Sequence, residues 1–161
     1  MAEPRDLVRE SDCVSQKRQW FYLEFIRSIC YHYHVMDERF YRGLEEFNRG
    51  AFFEAHEVLE DLWHEYRDLD RPFIQGLIQI AAAFYHLQSR NLKGAVSQLS
   101  KGSEKLSHYL PSYRQVSVAR LLEDVRGNLQ RLRDATDTSI GGISYPKIQY
   151  TRVANSTHPV S

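Results

Sequence analysis

The chain lacks several features that would narrow its chemistry at once. Cysteine occurs only twice in 161 residues, at Cys13 and Cys30. The pair has no C-x-x-C metal spacing, and a disulfide scaffold packs more cysteines into a shorter chain, so a reduced, cytoplasmic protein is the expectation. Charge of one sign is missing too, because 21 Lys and Arg balance 21 Asp and Glu. A nucleic-acid binder normally carries a basic face, so no nucleic-acid partner is expected. Arg126, Arg131 and Arg133 read instead as a solvated helix face. No apolar run reaches membrane-spanning length: the best, residues 73–85, is broken by Gln75 and Gln79, and no membrane partner is expected. The opening MAEPRDLVRESD mixes acids with bases and has no apolar stretch, unlike a secretory or organellar leader. There is no Gly-rich phosphate loop and no G-x-S-x-G elbow.

What is present reads as helix almost throughout. A hydrophobic share of 42% and a charged share of 26% are those of a globular chain. The pattern predicts an all-α compact bundle of about six helices with an extended C-terminal tail. Residues 1–14 form a flexible N-terminus, 15–135 one helical domain, and 136–161 a linker and tail. Trp20, Leu23, Ile26 and Cys30 mark a first amphipathic helix over about 15–31. Asp37 is placed to cap a second, with Phe40, Leu44 and Phe47 inward and Gly50 as its left-handed stop. A third holds residues 52–66. A fourth, capped by Asp70 with Pro72 in its first turn, runs to about Ser89. A fifth starts at Asn91 and is stopped by Pro111; a sixth spans about 115–133. Residues 143–153, with Tyr145, Pro146, Ile148 and Tyr150, look extended and are expected to pack back on the helices. Residues from Ala154 onward are expected to be mobile. The surroundings of Ala55 and Ala95 form a weak internal repeat with a period of roughly 40 residues, suggesting helix hairpins of tetratricopeptide type with small residues at the crossings.

The chemistry-bearing residues centre on residues 52–64. Side chains four apart stack on a helix, so Phe52, His56, Leu59 and Trp63 line one side with Glu60 beneath His56. Charged groups among such neighbours need partners. His56, Glu57 and Glu60 spell H-E-x-x-E, a zinc-protease motif with the second histidine replaced by a carboxylate. His64 lies about 12 Å further along the axis at 1.5 Å per residue, too far to substitute. Gln75, Gln79 and His86 form a polar line on the central fourth helix, and are the expected partners of His56, Glu57 and Glu60 across a helix interface. The favoured reading is an amide–carboxylate–imidazole network without metal. The competing one is a divalent-metal site with His56, Glu60 and His86 as candidate ligands and Glu57 as candidate base. Asp61-x-x-His64 matches half of a di-iron helix motif, but Ala83 and Lys105 stand where its counterparts would be, so a ferritin-like site is rejected. His32 and His34, two apart beside Cys30, read as a helix end.

The motifs F-N-x-G (from Phe47), E-A-H-E-x-L-E-x-x-W (Glu54 to Trp63), Q-G-L-I-Q (Gln75 to Gln79), then Tyr85-His86 and Asn91-Leu92-Lys93-Gly94-Ala95, resemble the family known as domain of unknown function 309. The likeness spans about residues 40–106 and implies a small all-helical fold with no assigned activity. Its polar positions fall on His56, Glu57, Glu60, Gln75, Gln79 and His86, with Asn48 in the first motif. The functional expectation is a non-catalytic module that binds a protein or peptide partner around a buried His/Glu/Gln network, with a metal-dependent hydrolase as the alternative.

Overall fold

The computed structural model describes residues 36–67, 70–134 and 142–152. The expected helix over 15–31, with Cys13, Cys30, His32 and His34, lies outside them, as do residues 135–141 of the linker and the end of the tail. Among the described residues there are five helices and no strand: α1 Glu38–Arg49, α2 Phe52–Glu65, α3 Asp70–Gln88, α4 Leu92–Ser107 and α5 Val118–Asp134. No helix among them is long and apolar enough to cross a membrane.

Local chemistry sets most helix ends. The Asp37 carboxylate accepts the Arg39 backbone N–H at 2.8 Å, satisfying one of the donors that every helix start leaves open. Gly50 closes α1 at φ 85°, a conformation that costs an L side chain. Asn91 caps α4 by accepting from Gly94 N–H at 2.9 Å. The start of α5 differs from expectation. Arg114 and Gln115 sit at φ 46° and 63°, and Tyr113 bridges Val116, so the chain turns there and the helix begins at Val118, about one turn later than the apolar pattern suggests.

Each helix packs mainly on its neighbour in sequence. The core centres on Phe40, Phe47, Phe52, Phe73 and Phe84, all essentially inaccessible. Phe52 lies 5.1 Å from Phe47 and 5.3 Å from Phe84, centroid to centroid, in the offset geometries aromatic quadrupoles prefer. Helix α3 is central; between its two ends its accessible residues are the half-buried line Gln75–Gln79–Ala82–His86 and the exposed Tyr85. It approaches α4 closely at Gly76 and Gly102, where a Cβ on Gly102 would stand 3.0 Å from the Gly76 carbonyl oxygen.

Two polar devices tie the periphery to this core. Arg114 donates to both oxygens of Asp70, at 2.6 and 2.7 Å, and Tyr113 Oη donates to the same carboxylate at 3.0 Å. The start of α3 is thereby pinned to the α4–α5 turn. The second device holds the tail. Residues 142–152 are non-helical, as expected, and Ile148 is 2% exposed. Asn48 reads the Ile148 peptide on both sides, donating to its carbonyl at 2.9 Å and accepting its N–H at 2.7 Å. Asn128, wholly buried, donates likewise to the Ser144 carbonyl at 2.7 Å. Tyr145 stacks on Phe52 at 5.2 Å and Tyr150 on Tyr41 at 5.9 Å.

Candidate functional site

Helix α2 carries five acids and two histidines but no Lys or Arg. Its buried line is Phe52, Ala55, Leu59 and Leu62, not the expected Phe52, His56, Leu59 and Trp63. Both lines satisfy helical spacing. At about 100° per residue, His56 is roughly 80° from the centre of the buried line and Glu57 roughly opposite it. The line is chosen by the neighbour helix: Leu59 fills the space over Gly43 of α1, whose added Cβ would meet it at 2.7 Å. The consequence corrects the expected burial. The side chains of His56, Glu57 and Glu60 keep 27%, 55% and 47% of their exposure, so the trio sits at the surface and not within a buried network.

The trio nonetheless converges. His56 Nδ1 lies 3.4 Å from Glu57 Oε1 and 3.7 Å from Glu60 Oε2. One ligand-type atom from each residue falls within 4.8 Å of the other two. Glu60 reaches His56 because i and i+4 are vertical neighbours.

The other expected members go elsewhere. His86 Nδ1 stands 3.4 Å from Asn91 Nδ2, and its ring presses toward Gly94 at the start of α4. Gln79 lines a cavity of about 390 Å³ with Pro72, Lys101, Glu104, Lys105, His108 and Tyr109, and its Oε1 is buried without a partner. Gln75 is half-buried on the same line, and its side chain makes no hydrogen bond among the described residues. Asn48 is spent on the tail. The structure thus keeps His56, Glu57 and Glu60 together and separates them from Gln79 and His86, which face the α3–α4 groove.

Sequence reasoning passed over the aromatic part of this surface. Phe53 of α2 and Tyr85 of α3, 48% and 41% exposed, stack with centroids 5.4 Å apart. At the far end of the same seam the Arg71 guanidinium lies 4.1 Å over the Trp63 ring, a cation–π contact. The available signal was the position of Phe53 on the acidic side of α2, where burial would not place a phenylalanine. Near Trp63, Arg39 bridges Asp37 and Glu65 at 2.8 and 2.7 Å. Its hydrogen bonds hold both carboxyls below their ordinary range.

A comparison with curated proteins gives no match. Residues 40–98, from α1 into α4, match the family described as "Domain of unknown function (DUF309)", and over that segment the chain resembles this family, as the F-N-x-G, E-A-H-E and Q-G-L-I-Q motifs imply.

Proposed function

We propose that the protein is a non-catalytic helical module that docks a protein or peptide segment along the outer α2–α3 seam. The observation that carries this reading is the stacked, exposed Phe53–Tyr85 pair, since an apolar patch set within a polar rim marks interaction surfaces. The rim supplies the partner's chemistry. Glu54, Glu57, Glu60 and Asp61 lie on α2, which has no basic side chain except histidine. A segment with one large apolar side chain flanked by Lys or Arg complements this surface in shape and charge. Full burial of Ala55 and Ala95 supports the comparison with tetratricopeptide-type hairpins. The hydrolase alternative draws less support, because His86 is engaged with Asn91 at the start of α4. The cysteine count supports a cytoplasmic setting.

Trp63 in the same seam provides the readout. A lysine-flanked leucine peptide titrated into a Trp20→Phe variant, in which Trp63 is the single tryptophan, should change the fluorescence in a saturable, salt-weakened manner. Phe53→Ser with Tyr85→Ser should abolish the response, leaving the circular dichroism spectrum unchanged. Equal binding of a glutamate-flanked peptide, or by the double variant, would refute the docking surface.

A further inference from the structure

We propose that His56, Glu57 and Glu60 hold a single divalent transition-metal ion, with Zn²⁺ the preferred occupant. This goes beyond the docking reading and does not depend on it. The first argument is geometric. Metal–ligand bonds of about 2.0–2.2 Å in a tetrahedral site place neighbouring ligand atoms roughly 3.3–3.6 Å apart. The observed separations from His56 Nδ1 are 3.4 Å to Glu57 Oε1 and 3.7 Å to Glu60 Oε2, and one ligand-type atom from each of the three residues lies within 4.8 Å of the other two. A small rotation of the two carboxylates closes the set. All three ligands come from one continuous helix, so no rearrangement between helices is required.

The second argument is the absence of competing partners. Arg39 pairs with Glu65, Arg49 with Glu46, Arg114 with Asp70 and Arg152 with Glu38. Among the described residues Glu57 and Glu60 pair with no Lys or Arg; the His56 ring is the one basic side chain they reach. Two carboxylates aimed at the same imidazole nitrogen form an anionic pocket that only a proton or a metal neutralises. One nitrogen and two oxygens suit Zn²⁺, Mn²⁺ or Fe²⁺ and disfavour Mg²⁺ and Ca²⁺, which prefer all-oxygen shells. The half-exposed carboxylates leave the remaining coordination position to water. This ligand set differs from the His56, Glu60, His86 candidates in the sequence: Glu57 replaces His86.

Isothermal titration of chelator-stripped full-length protein with Zn²⁺, and separately with Mn²⁺, tests the assignment. Cys13 and Cys30 are first alkylated to remove thiol binding. One Zn²⁺ per chain should bind. His56→Ala and Glu60→Gln should each weaken binding by more than the ~10–100-fold that loss of an outer-shell partner causes. His64→Ala and His86→Ala should bind like the parent. If His56→Ala fails to fold, the half-exposed Glu60→Gln still decides, with its melting curve as control. No stoichiometric binding, undiminished binding by Glu60→Gln, or a loss in His86→Ala would each overturn the site. Because peptide docking is read at Phe53 and Tyr85, failure of one assignment leaves the other standing or falling by itself.

Discussion

Replacing glycine by alanine at two helical positions should shift stability in opposite directions. Gly127 lies in α5, where an added Cβ meets only the flexible Arg131 guanidinium, at 3.4 Å. Gly102 lies in α4, where the Cβ would stand 2.7 Å from Ile80 Cδ1 and 3.0 Å from both Ile80 Cγ1 and the Gly76 carbonyl oxygen. Alanine gains about 0.8–1 kcal/mol of helix propensity over glycine at an unhindered interior position. At Gly127 that gain should appear almost undiminished, as roughly 0.5–1 kcal/mol of added stability. At Gly102 it is opposed by overpacking, which costs about 1–3 kcal/mol in a filled core. A side chain can turn aside, but the Gly76 carbonyl moves only if α3 and α4 separate, so the upper half of that range applies. The net expectation is a loss of about 1–2 kcal/mol. Urea unfolding followed by circular dichroism reads both variants, with an unchanged slope showing that only stability moved. If Gly102→Ala stabilises the protein as much as Gly127→Ala, the close α3–α4 approach is wrong, and with it the placement of Gln79 and His86 along that groove.

Three further outcomes follow from named contacts. Asn128→Ala leaves the Ser144 peptide without its buried amide, should cost about 1–3 kcal/mol, and should speed tryptic cleavage after Lys147; unchanged cleavage would show that the tail is held by other means. Trp63→Ala should cost about 2 kcal/mol, below the ~3–5 of a fully buried tryptophan, whereas Glu57→Ala should stay within ~0.5 kcal/mol, as for other exposed sites; equal, large losses in urea titrations would make Glu57 a structural anchor. Asp37 and Glu65 have carboxyls lowered by hydrogen bonds from Arg39, so the stability they contribute is present above the ordinary carboxyl pKa of about 4 and is lost as pH falls through the depressed folded values. Urea midpoints measured from pH 6 to 2 should therefore fall less steeply for Arg39→Met than for the parent, and parallel curves would refute the linkage.

The five described helices, and the ends of α1 and start of α4 in particular, were legible in the sequence because they depend on neighbours within a turn, whereas the start of α5 was set by the turn at Arg114 and Gln115. Asp37, Gly50 and Asn91 act through their own backbone and that of the next few residues, and the apolar period of α3 identifies it as central without reference to any other helix. The convergence of His56 with Glu60 was legible for the same reason, being a one-turn relation. The burial of that pair was not. Lines through Ala55 and through His56 are equally periodic, and the choice between them was made by Gly43, which opens the space that Leu59 fills. The partner of His86 was likewise decided by the turn that brings Asn91 beside it. The clamps of Asn48 and Asn128 on the tail join residues 100 and 16 positions apart, and no local period records such a pairing. The sequence by itself determined the helices and the composition of the polar set. Tertiary packing decided which of its members meet and which face the solvent, because a helix pattern specifies a line of side chains while the rotation of that line depends on the neighbouring helix.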